Sequence, residues 1–452
     1  MFSSIFSTIF GQLILCLGVY LFLSLHYLLS EVLAFDNQQE SDVCTQDVLD
    51  RSFVTRCTSD YCEPVIEHPN NDDWPSSTDT VVHIQSTRQG GRFQIIKHKS
   101  IDTTEHYYEE SHVNGTIFVD TKTRYQKILG FGTTLTDSSC TNIDDLPDDL
   151  RNKLIKDYFS TDDGIGLSLV KVPIGSTRYS YSNYALDQPD LNQVELSAYD
   201  IDHRIPLIRD AYKAASRYKN RIKVIASSLT APPGYKQNNK LSSGGPLKTD
   251  KFDNYANYLN SFVRAYKEKD LDVWAHILGE NSASAIQIER SNATSLDYNS
   301  MSMNPTEVTK LIKSIYRERA KQANQIDRSR LLILGDHRSN IPAWSNSIFN
   351  NPDVKEKVAG IAYTCDVNEI APYDNLEYSL KRYTNKYLLA VQSSYHTPVN
   401  LGNWQYAEDY ATEIVRNLAF GSVGWIDFNM ALDLSGGPSI NSHYSGKFFY
   451  SI

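Results

Sequence analysis

VIASSLTAPPGY (Val224–Tyr235), VWAHILGENSASA (Val273–Ala285) and LLILGDHR (Leu331–Arg338) are three of eight short apolar runs that punctuate the chain between Ile128 and Phe428. The others are GFGTTLTD (Gly130–Asp137), GIGLSLVKVPIGS (Gly164–Ser176), VAGIAYTCD (Val358–Asp366), YLLAVQSS (Tyr387–Ser394) and VGWIDFNMALDLSGGP (Val423–Pro438). Long amphipathic segments separate them, the alternation of a parallel sheet with crossover helices. In the segment from Ile205 to Tyr218, for example, Leu207, Ala211, Ala214, Ala215 and Tyr218 fall on one helical face. Asn304-Pro305-Thr306-Glu307 opens another helix, with an Asn N-cap, Pro in the first turn and Glu three residues after the cap. Eight strands in this order predict a (β/α)8 TIM barrel over residues 128–452.

Upstream the pattern changes. VVHIQSTR, RFQIIKHK and GTIFVD, within residues 81–120, alternate apolar and polar residues between Gly-bearing turns and read as β-strands. EHPNNDDWPSSTD before them reads as a linker or surface loop. Residues 1–35 carry no Lys or Arg and run apolar from Ile9 through Leu29, a signal peptide or, since the run is long enough to span a bilayer, an N-terminal anchor. Cys44, Cys57 and Cys62 cluster after this leader, which favours disulfides; free thiols in a reducing compartment are the alternative. Cys140 and Cys365 lie singly in the barrel region. Asn114 and Asn292 begin glycosylation sequons that matter only in the secretory pathway.

The net charge of −10 and the absence of a basic stripe exclude nucleic acid as a partner, because phosphate binding needs a cationic footprint. Phosphate-loop, dinucleotide and metalloprotease signatures are absent and no further His or Cys pair with ligand spacing sits beside the clustered cysteines, so neither a cofactor nor a metal is implied.

The eight runs, in order and spacing, resemble the strands of the glucosylceramidase family (lysosomal acid β-glucosidases) of glycoside hydrolases over about Cys44 to the C-terminus. The resemblance implies that residues 36–127 supply a disulfide-bearing segment and part of a β-sandwich beside the barrel. It pairs Cys57 with Cys62 and leaves Cys44 without its partner, Thr55 standing where one is expected. It also implies that the last barrel helix and the returning sandwich strands are missing, since the chain stops at Ile452, 24 residues after Phe428. Strands so deprived expose edges, which predicts poor stability or aggregation unless a partner covers them.

Retaining β-glycosidases need two carboxyl groups about 5 Å apart, a nucleophile and an acid/base. In the family these follow the fourth and seventh strands. At the fourth this chain reads Glu280-Asn281-Ser282-Ala283, which puts Ser282 in the acid/base position; an ungapped alignment from Trp274 puts Asn281 there. Neither is a carboxylate. A serine hydroxyl cannot supply general acid catalysis, worth roughly 10²–10⁴ in rate. At the seventh strand Gln392 occupies the nucleophile position, and a neutral amide neither attacks nor stabilises an oxocarbenium ion as a carboxylate does. Glu280 as a displaced acid is disfavoured because side chains one residue apart on a strand point to opposite faces, and it is expected to pair with a nearby cation. Ser393, Ser394 and His396 lack an acid orienter and read as loop residues.

Of the sugar-contact positions implied by the resemblance, Asp137 and Asn281 remain and Phe428 stands for a Trp. Leu229 replaces another Trp, Thr364-Cys365-Asp366 a His-Trp-Tyr, and Ser439 an Asn. For Asp137 a capping or turn role is the alternative. The expectation is a secreted or lysosomal protein of glucosylceramidase type, without catalytic residues, that retains a cleft for a glycoside or glycolipid and meets an activator protein or a membrane surface. The competing expectations are an active retaining β-glucosidase that hydrolyses glucosylceramide through a divergent site, and a product that does not fold stably.

Overall fold

The computed structural model describes residues 46–49, 52–55, 80–89, 91, 93–99, 120, 122–162, 164–188, 193–216, 222–291, 298–321, 328–365, 371–393, 403–433 and 436–440. The leader, Cys57, Cys62, Asn114, Asn292, Tyr218, Ser394, His396 and the GTIFV run lie outside them. The chain divides into two compact units, residues 1–47 with 55–64 and residues 48–54 with 65–452. The barrel and its site belong to the second.

Eight parallel strands close into a barrel in sequential order: β1 (Gly130–Thr134), β2 (Leu169–Pro173), β3 (Lys223–Ser227), β4 (Val273–Leu278), β5 (Arg330–His337), β6 (Val358–Thr364), β7 (Tyr387–Ser393) and β8 (Gly424–Asp427). Closure is direct, with Gly424 to Asp427 of β8 registered against Gly130 to Thr133 of β1. All eight expected strands are present. Between them run α1 (Asp137–Asp144), α2 (Asp148–Phe159), α3 (Ile205–Ala214), α4 (Phe252–Lys267), α5 (Ser282–Ser291), α6 (Pro305–Lys321), α7 (Ile341–Phe349), α8 (Pro352–Lys355), α9 (Asp374–Arg382) and α10 (Trp404–Ala419).

Strand alternation sorts the core into two layers. Leu169, Ile225, Ala275, Ile277, Leu332, Ala362, Leu389, Val391 and Ile426 fill the barrel interior. Their neighbours Val170, Val172, Val224, Ala226, Leu331, Ile333, Ile361, Leu388 and Ala390 join the layer shared with the helices. Gly132 adds nothing to the interior because a Cβ there would stand 1.9 Å from the Leu169 carbonyl oxygen. The α6 start follows the expected capping box: Asn304 Oδ1 accepts from the Thr306 and Glu307 amides, and the Asn304 amide donates to Glu307 Oε2 at 2.8 Å. The α3 face is shorter than periodicity predicts, with Leu207, Ile208 and Ala211 buried and the helix ending at Ala214 after a π-helical turn over Tyr199–Arg204.

Ahead of the barrel, Thr80–Gln85 and Gln94–Lys99 pair antiparallel in full register, Thr80 opposite Lys99 and Gln85 opposite Gln94. This small sheet fits the expected partial sandwich. Short strands also lie at Gln46–Leu49 and Ser52–Thr55.

Candidate functional site

The C-terminal ends of the strands gather the residues that the sequence singles out. At β4 the strand ends at Leu278, and the next residues leave extended geometry: Gly279 has φ 79° and Asn281 φ 55°. The alternation argument against Glu280 therefore does not hold, because the chain is no longer pleated there. The Glu280 side chain is buried and meets Lys171 of β2, Nζ to Oε1 at 2.5 Å. The expected cation is thus identified. Glu280 Oε2 is buried and accepts no hydrogen bond.

Lys171 was not anticipated. Its signal was a lone Lys inside LVKVP, a strand with every residue buried. A charge in such a run requires an ionic partner on a neighbouring strand end.

Ser282 opens α5 and is 1% exposed. Its Oγ donates to the Met301 carbonyl at 2.9 Å. Its neighbour Ser284 donates through both N and Oγ to Asp336 at the end of β5, at 2.9 and 2.7 Å. Gln392 lies in β7, whose strand pairs with β6 and β8.

Asp137 is the first residue of α1, and the cap itself is Thr136, whose side chain accepts from the Ser139 amide at 3.1 Å. The Asp137 carboxylate is fully buried, pairs with Arg204, and accepts from Tyr184 Oη at 3.1 Å. Arg204 also holds Asp200 at 2.9 Å and donates Nε to the Leu135 carbonyl at 3.0 Å. Burial pushes the Asp137 carboxyl up from the ordinary carboxylate range and the Arg204 guanidinium opposes this. Burial works against the Arg204 charge too, yet Asp137, Tyr184 and Asp200 outweigh it and hold the guanidinium well above its usual value. In this state Asp137 spends its oxygens on protein partners.

Phe428, just past β8, is 5% exposed. Tyr179 meets it edge-on at 4.8 Å, Arg178 covers it at 4.9 Å and Lys171 Nζ lies 5.7 Å from its centroid. With Leu432 and Tyr179 it forms a separate apolar cluster beside the Lys171–Glu280 pair. The ring is packed rather than presented as a stacking platform. Leu229, Thr364 and Cys365 are buried as well; neither Cys140 nor Cys365 is in a disulfide, and the Cys365 thiol donates to Asn417 Oδ1 at 3.7 Å. His337, at the end of β5, keeps 27% of its side chain exposed, with Nδ1 3.5 Å from Thr364 Oγ1.

The described carboxylates nearest the strand ends are Asp137, Glu280, Asp336 and Asp427. Asp137 is held by Arg204, Glu280 by Lys171, Asp336 by Ser284 and the His337 amide, and Asp427 accepts from the Phe428 amide. The arrangement brings Lys171, Glu280 and Phe428 together and keeps Asp137 in a separate network. Among the described residues no group of His, Cys, Asp and Glu could hold a metal ion.

Comparison with known proteins places these features. Residues 128–448 match the glycosyl hydrolase family 30 TIM-barrel domain. A Caenorhabditis elegans relative named as a glucosylceramidase is 27% identical over 424 residues, 90% of this chain and 77% of its own length. The mouse (Mus musculus) lysosomal acid glucosylceramidase is 28% identical over 407 residues, covering 86% and 74%. An endo-β1,6-glucanase of solved structure shares the fold with a TM-score of 0.62, at 22% identity, over 73% of this chain and 71% of that one.

Proposed function

The chain belongs to glycosyl hydrolase family 30, and from that premise we propose that it is a glucosylceramidase-like pseudoenzyme, which binds a glycoside or glycolipid at the barrel mouth without hydrolysing it. One observation carries the reading: Ser282, which we assign to the acid/base position, has its hydroxyl already spent on the Met301 carbonyl. Gln392 at the nucleophile position supplies no carboxylate either. Retaining hydrolysis needs both groups, about 5 Å apart.

The mouse relative's name, the apolar run Ile9–Leu29 and the two sequons support a secretory or lysosomal setting. There the ligand is a sugar headgroup, at a membrane surface or presented by an activator protein. The second reading, an active β-glucosidase with a divergent site, draws on one feature, the buried Glu280 with one oxygen unclaimed.

Covalent trapping tests the choice. A 2-deoxy-2-fluoro-β-glucoside with a good leaving group should leave the intact mass of the purified full chain unchanged after prolonged incubation at acidic pH. An adduct would identify a working nucleophile and reverse the conclusion, and its position would locate that nucleophile.

A further inference from the structure

Residues 298–303 cross the C-terminal ends of three adjacent strands as a buried strap. On the β2 side, Asn299 Nδ2 donates to the Tyr184 carbonyl at 3.0 Å. Over β3, the Ser300 carbonyl accepts from Lys236 Nζ at 2.6 Å and Thr230 Oγ1 at 3.2 Å, while the Ser300 amide donates to the Leu241 carbonyl at 3.0 Å. At β4, the Met301 carbonyl accepts from Ser282 Oγ. Asn299, Ser300, Met301 and Met303 are each at most 1% exposed.

We infer that Ser282 is the anchor of this strap, so that the position the family uses for its acid/base now holds closed the β4 side of the barrel mouth. The inference rests on the reading of position 282 given above. A glutamate there adds three heavy atoms to a buried site, where overpacking forces neighbours to move. When ionised it also has no hydrogen to give, and its oxygens would face the Met301 carbonyl in place of a donor. Loss of the catalytic group is therefore coupled to a gained contact, and restoring the carboxylate would open the strap. Lys236 ties the other side of the same segment through the Ser300 carbonyl, and its ammonium is held in place by two acceptors outside the strap, Leu241 O at 3.2 Å and Thr230 Oγ1 at 3.0 Å.

Amide exchange of the peptide covering residues 298–303, read by mass spectrometry on the full chain, tests this for S282A, S282T, S282E and K236M. Leaving a buried carbonyl without its donor should raise strap exchange by about tenfold in S282A, and by more in S282E. S282T keeps the hydroxyl and should stay near the parent, whereas K236M should loosen the strap from its other side. Parental strap exchange and melting midpoint in S282E would overturn the inference. If S282E does not fold, equal exchange in S282A and S282T would overturn it instead. Turnover by the parent chain would sink the pseudoenzyme reading and leave the strap result standing, so the two failures are distinguishable.

Discussion

The lower barrel and its rim obey different rules. Below, Leu169, Ile277, Leu332, Leu389 and Ile426 fill the interior with apolar volume and no charge, the packing any barrel of this kind needs. At the rim, the chain buries Lys171 of β2 with Glu280 just past β4, and Asp137 just past β1 with Arg204 of the π-helical turn before α3, which also holds Asp200. Burying ions in place of hydrophobic groups adds little stability by itself. The difference teaches that the fold is maintained by the lower layer, while the rim concentrates buried charge around Ser282 and Gln392, the residues that the proposed function assigns to the two catalytic carboxyl positions.

Removing single rim charges should give the largest effects. R204M leaves Asp137 and Asp200 buried without their cation and should destabilise by about 3–5 kcal/mol in denaturant unfolding. K171M strands Glu280 in the same way, with a loss toward the lower end of that range. The paired change K171M/E280L should recover most of it, because a hydrophobic pair of similar volume needs no solvation. If the pair scored no better than K171M alone, the rim ions would be structural in the same sense as the floor.

The floor sharpens the contrast from below. L332A removes a fully buried interior side chain and should lose about 2–5 kcal/mol with no rescue by a charge change elsewhere.

Another effect is absent at neutral pH and grows only in acid. His276 of β4 is fully buried among apolar neighbours, and burial, with Arg319 adding to it, lowers its pKa to about 3. The unfolded chain takes up this proton near 6.5, so the stability from keeping His276 neutral is complete above that pH. It is lost as pH falls toward 3, at about 1.4 kcal/mol per pH unit. H276L should flatten the acid side of a stability-versus-pH curve. An unchanged acid limb would mean that other groups set it.

The same division explains what the sequence made legible. Each of the eight apolar runs became a strand, and Asn304 with Glu307 marked a helix start, because short apolar runs between amphipathic segments and helix capping are local signals. The small sheet over Thr80–Lys99 was legible for the same reason. Glu280 pairs with a cation as expected, but the pleat gives the wrong reason, since its direction depends on the positive φ of Gly279 and Asn281. Lys171 as its partner needed knowledge of which strand ends converge across a closed barrel, a relation between residues 109 positions apart. Phe428 stood at a plausible sugar-contact position, yet Arg178 and Tyr179 reach it from the loop after β2. The tie between Ser282 and Met301 was equally invisible, because it joins the first residue of α5 to a distant loop by one carbonyl.

The most direct measurement is turnover of a fluorogenic β-glucoside by the purified full chain at acidic pH, beside E280Q. On the proposed assignment of Ser282 and Gln392 to the two catalytic positions, release should not exceed the rate without protein, in either chain. Release well above that background, abolished by E280Q, would contradict the pseudoenzyme conclusion and make Glu280 the carboxylate that performs the chemistry.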